Sequence, residues 1–108
     1  MEVKSVQLEE IVIFTVDGEI NISTSPELKK QFEKKPSKKV VVNLERVTYI
    51  DSSGLATLVE MLKKTRSQGG ALGLSGMSEK VKSLFEITKL DKLFSIFPSQ
   101  DEALAKIK

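Results

Sequence analysis

Residues 40–62 read VVVNLERVTYIDSSGLATLVEML, and a change of period inside that stretch decides the fold class. Val40, Val41, Val42 and Leu44 make an apolar run with no polar position before Asn43, as expected of a central strand covered on both sides. From Leu55 onward the apolar positions Leu55, Leu58, Val59 and Leu62 fall at i, i+3, i+4 and i+7. Glu60, Lys63, Lys64 and Arg66 decorate the other faces, which is the pattern of an amphipathic helix ending near Gly69-Gly70. The segment Val47 to Leu55 joins the two elements. It lies at the carboxyl end of the inferred strand, where open α/β sheets usually meet ligands and partners.

Working outward, Val3–Leu8 alternates like a strand and Ile11–Val16 is a β-branched and aromatic strand, with Glu9 and Glu10 between them as a hairpin turn. Asp17-Gly18 is expected to break the second strand. Thr24 and Glu27 have capping-box spacing before Pro26, Leu28 and Phe32, so a short helix should follow and stop by Pro36. Past the central helix, Ala71–Leu74 reads as a short strand. Ser78 is a candidate N-cap for a helix carrying Val81, Leu84, Phe85 and Thr88. Leu93–Phe97 offers a last strand, and Ser99 with Glu102 opens a helix carrying Ala103, Leu104 and Ile107. The order βαβαβαβα after an N-terminal strand predicts an α/β fold with a mixed, mostly parallel sheet and flanking helices.

A chain of 108 residues supports one hydrophobic core, so residues 1–108 are expected to form a single domain. It contains neither His nor Cys. That removes disulfides, thiolate ligands, the thiol nucleophile and every imidazole-based triad. No acidic pair or cluster has catalytic or metal-binding spacing, so the expectation is a protein that is not an enzyme and has no cofactor or metal. Lys and Arg number 17 against 15 Asp and Glu; a net charge of +2 gives no electrostatic reason to expect nucleic acid or a membrane as a partner. No run approaches the roughly 20 apolar residues of a membrane span, and no signal core is evident at the N-terminus. The expected location is the cytoplasm.

Asp51-Ser52-Ser53-Gly54 has two readings. In one, a carboxylate or hydroxyl simply caps the following helix, stabilising it by about 1 kcal/mol. In the other, two consecutive hydroxyls and a glycine exceed what one cap requires, and the helix N-terminus is suited to hold a phosphate. A phosphoserine there would add about −1.5 to −2 charges beside Asp51, which the helix tolerates and an apposed protein surface would not.

The block Asp51-Ser52-Ser53-Gly54-Leu55, following Glu45-Arg46-Val47-Thr48-Tyr49-Ile50, resembles the signature of the STAS domain family, specifically its bacterial anti-sigma-factor antagonists. Gly18-Glu19-Ile20, Gly69-Gly70 and Leu84-Phe85-Glu86-Ile87-Thr88-Lys89-Leu90 extend the resemblance over nearly the whole chain. The resemblance implies partner switching. An anti-sigma factor that is also a serine kinase binds either a sigma factor or the unphosphorylated antagonist; the kinase then phosphorylates the antagonist with ATP and Mg²⁺, and a serine phosphatase resets it. It also implies Ser52 as the phosphoacceptor, with Ser53 the alternative, and Asp51, Ser52, Ser53, Gly54, Glu19 and Asn21 as partner-binding residues. Gly54 would permit close approach of the partner. Where the family often carries an Asp after its Gly-Glu-Leu segment, this chain has Ile20 and Asn21.

Two other readings compete. Residues 69–76 are Gly-rich but match neither G-x-x-x-x-G-K-[ST] nor G-x-G-x-x-G, which argues against a nucleotide-binding enzyme. A STAS binding module serving a stress complex, a transporter or lipid trafficking, without sigma-factor control, is the alternative within the same fold.

Overall fold

The computed structural model describes residues 1–107. In chain order these form β1 (Glu2–Leu8), β2 (Ile11–Ile20), α1 (Ser25–Lys34), β3 (Lys39–Ile50), α2 (Ser52–Ser67), β4 (Ala71–Ser75), α3 (Glu79–Ile87), a 3-10 turn (Leu90–Lys92), β5 (Ser95–Phe97) and α4 (Gln100–Lys106). The strands make one mixed sheet in the order β1-β2-β3-β4-β5, with β1 antiparallel to β2 and the other pairs parallel. The expected α/β class, element order and central strand are all present in this single domain.

Strand alternation sorts the core into two layers. Val12, Phe14 and Val16 of β2 join Val40, Val42 and Leu44 of β3 beneath α1, α2 and α3, which contribute Leu28, Phe32, Leu58, Met61, Leu62, Val81 and Phe85. Ile11, Ile13 and Val41 point the other way and pack with Ala103 of α4 and with Ile107, which caps its C-terminus. Central strand β3 is therefore apolar on both faces, the reason its run lacks a polar side.

Four local expectations need correction. Asp17-Gly18 does not end β2. The register with β3 shifts between Thr15 and Asp17 and again between Gly18 and Glu19, each time with one extra residue on β3, while Gly18 takes φ +106° and pairing resumes as Glu19↔Tyr49 and Ile20↔Ile50. For the same reason Val47–Ile50 is strand, with Val47 and Ile50 buried. Thr24 precedes α1 without a side-chain cap; its hydroxyl instead donates to the Glu19 carbonyl at 2.8 Å and accepts from the Asn21 N–H at 2.8 Å. Finally, β5 begins at Ser95, because Leu93 and Phe94 belong to the turn that sets Phe94 edge-on against Phe85, with ring centroids 5.6 Å apart.

Candidate functional site

The parallel β2–β3 pair brings the two candidate segments side by side. Ile20 and Ile50 are register partners, and the Asp51 N–H donates to the Ile20 carbonyl at 3.1 Å. From that point the chain turns into α2 with Asp51 as its N-cap, in extended conformation at φ −91° and ψ −176°. One carboxylate oxygen, Oδ1, accepts from the Gly54 N–H at 2.9 Å. The other, Oδ2, accepts from the Ile22 N–H at 3.1 Å. One side chain thus caps a helix and holds the β2–α1 turn against it. Its charge also suits the positive end of the α2 dipole.

Because Asp51 does the capping, the two serines are free of that task. Ser52 is the first helical residue and is exposed; Ser53 is half-buried. Neither hydroxyl takes part in a hydrogen bond among the described residues. Gly54 is buried, and the close approach it permits is internal rather than toward a partner. A Cβ there would collide with the Ile20 carbonyl oxygen and lie 2.7 Å from Ile50 Cγ2 and 2.9 Å from Ile20 Cγ2. The glycine lets the start of α2 sit directly on the ends of β2 and β3.

Glu19 is exposed beside the site, and Asn21 shapes the adjoining turn. The Asn21 Oδ1 accepts from the N–H groups of Ser23 at 2.9 Å and Thr24 at 3.1 Å, while its carbonyl accepts from Ser25 N–H at 2.7 Å. An Asn does this structural work where the family often has a carboxylate. The six candidate residues therefore gather at one end of the sheet: Ser52 and Glu19 outward, Asp51 and Asn21 as organisers, Ser53 half-covered, Gly54 beneath.

Three exposed side chains at the same end escaped the sequence reading. Ile22 is 73% exposed and Tyr49 is 38% exposed, and the Lys80 ammonium stands 5.6 Å from the centroid of the Tyr49 ring. An isoleucine inside the polar run Asn21-Ile22-Ser23-Thr24, and a lysine in the first turn of a helix where the dipole disfavours cations, are the signals that mark them. Among the described residues no group of three or more acidic side chains converges to hold a metal ion, and no helix is long and apolar enough to cross a membrane. Away from this end, Lys29 bonds Glu60 at 3.1 Å between α1 and α2, and that hydrogen bond together with the charge of Glu60 raises the Lys29 pKa above its ordinary value.

This architecture defines an α/β domain that presents a free serine, beside a separate capping carboxylate, at the carboxyl end of a mixed sheet. The chain belongs to the STAS domain family, whose model matches residues 2–103. It is 36% identical over 99 residues to the anti-sigma-B factor antagonist of Listeria monocytogenes, covering 89% of this chain and 86% of that protein. Its fold is similar to that of the anti-sigma factor antagonist SpoIIAA in its unphosphorylated form, with a TM-score of 0.83 at 17% identity over 98% of this chain and 96% of that one. A sulfate transporter family protein from Wolinella succinogenes shares the fold as well, at TM-score 0.81 and 23% identity over 93% of this chain and 86% of that one.

Proposed function

We propose that this protein is an anti-sigma-factor antagonist: unphosphorylated, it binds an anti-sigma factor that is also a serine kinase and so releases the sigma factor, and phosphorylation of Ser52 ends that binding. The observation that carries the reading is the division of labour in the loop. Asp51 satisfies the helix start, and Ser52 beside it is exposed with an uncommitted hydroxyl. The Listeria relative, named as an anti-sigma-B factor antagonist, supports the partner class.

In the reaction, Ser52 Oγ attacks the γ-phosphorus of ATP held with Mg²⁺ by the kinase. The new Oγ–P bond forms as the bond to the bridging oxygen of ADP breaks, and the hydroxyl proton leaves to a base on the kinase. The antagonist supplies the acceptor and its presentation. The N-terminus of α2 accommodates the phosphate, while the added charge beside Asp51 opposes an apposed protein surface, so the modification switches binding and leaves the domain folded. A serine phosphatase restores the binding form. In this scheme the whole cycle takes place in the cytoplasm.

Intact-mass measurement after incubation with ATP, Mg²⁺ and the kinase encoded nearest to this gene tests the reading. One added phosphate that is lost in Ser52→Ala is the expected result, and loss only in Ser53→Ala moves the acceptor by one residue. No phosphate from a demonstrably active kinase overturns sigma control and favours a STAS module of another complex.

A further inference from the structure

The carboxyl end of the sheet presents three turns in a row. The turn after β2 carries Ile22, the end of β3 carries Tyr49 with Ser52 opening α2 just beyond it, and the start of α3 after β4 carries Lys80. Because β3 lies between β2 and β4, the segment that leads into Ser52 runs between the strand followed by Ile22 and the strand followed by Lys80. Both flanks are held in place. Ile22 is fixed through its N–H to Asp51 Oδ2 at 3.1 Å, so its side chain is displayed in water by a bond that also organises the Ser52 loop. Lys80 rests over the Tyr49 ring and forms no ion pair among the described residues.

We infer that Ile22 and the Lys80–Tyr49 pair are the two anchors that select the protein partner, which must offer an apolar socket for Ile22 and a carboxylate-bearing edge for Lys80. This rests on the Ser52 loop being the docking face. An isoleucine that stands 73% exposed beside the Ser52 loop gains by entering a socket, since burying it removes most of its apolar surface from water. A lysine ammonium in the first turn of a helix is opposed by the helix dipole, and a partner carboxylate offsets that opposition. The arrangement also gives the switch its sign. A phosphate on Ser52 brings its negative charge toward the same acidic edge that Lys80 attracts.

The test is the affinity of the unphosphorylated protein for the purified anti-sigma kinase encoded nearest to its gene, measured by calorimetry for the parent, Ile22→Ala, Lys80→Met and Leu8→Ala. Leu8 is 50% exposed and pairs with Ile11 at the opposite end of the sheet, so it serves as the apolar control. Expected are a Kd raised about tenfold or more by each of the first two substitutions, an unchanged Kd for Leu8→Ala, and a weaker salt dependence for Lys80→Met than for the parent. Both anchor substitutions are at exposed side chains and leave backbone bonds intact; coincident circular-dichroism melts establish that the fold is retained. Parent-like affinity for either substitution overturns the paired-anchor assignment while leaving the phosphoserine reading standing. Failure of the parent itself to bind overturns both.

Discussion

The Asp51 carboxylate accepts a hydrogen bond at 3.1 Å from the backbone N–H of Ile22, 29 residues earlier in the chain. With its other oxygen it accepts from Gly54 N–H at 2.9 Å. The residue next to the proposed phosphoacceptor is therefore the clasp between two turns, and its structural and functional roles are inseparable in a single-residue deletion. Asp51→Ala is expected to destabilise the fold by about 1–2 kcal/mol, the loss of an N-cap and of a second charge-assisted bond. Asp51→Asn keeps one acceptor oxygen but turns an N–H₂ group toward a donor, so it should fall between Ala and the parent. Urea denaturation of the three proteins checks the order.

Gly54→Ala separates helix propensity from packing. Alanine is favoured over glycine in a helix by about 1 kcal/mol, which alone predicts stabilisation. The new methyl meets the Ile20 carbonyl oxygen and the branched ends of Ile50 and Ile20 at the junction of β2, β3 and α2. Overpacking of this kind costs about 1–3 kcal/mol, and backbone oxygen cannot rotate away as a side chain does. A lowered melting temperature is expected; a raised one would mean that the start of α2 shifts freely from the sheet.

Much of this is legible in the sequence because its causes are local. The covered strand at Val40–Leu44 and the amphipathic period from Leu55 to Leu62 are written in adjacent residues, and Asp51, Ser78 and Ser99 each cap the helix that their position announces. What the sequence concealed depends on distant partners. Asp17-Gly18 signals a break when read alone, yet β3 supplies a parallel edge along which β2 keeps pairing past two register shifts as far as Ile20↔Ile50. Thr24 has cap spacing, but the carbonyl of Glu19 and the N–H of Asn21 claim its hydroxyl first. Ile22 and Lys80, distant in the chain from Tyr49 and Ser52, are brought to that end by the order of the strands.

Ser75 tests a different part of the physics. It is fully buried at the end of β4, and its hydroxyl has no hydrogen-bond partner among the described residues. A hydroxyl taken out of water without a partner costs about 1–3 kcal/mol. Ser75→Ala removes that cost together with only one small atom, so its stability should equal or exceed that of the parent. Denaturation showing a clear loss would mean that the hydroxyl is bonded in solution.

Ser52→Asp sets stability against binding. A carboxylate at the first position of α2 faces the positive end of the helix dipole, worth about 0.3–1 kcal/mol at an exposed site, and repulsion from Asp51 offsets part of that gain. Ser52 is exposed, so no packing is lost. The urea midpoint should therefore stay at or near that of the parent. Binding should respond in the opposite sense, since the same charge is brought against the partner's surface, and Kd for the anti-sigma kinase is expected to rise about tenfold, less than for the phosphorylated protein because one carboxylate carries less charge than a phosphate. Calorimetric titration beside the denaturation curve measures both. A parent-like Kd with a parent-like midpoint would mean that charge at Ser52 is not what releases the partner, and steric exclusion by the larger phosphate would then have to account for the switch.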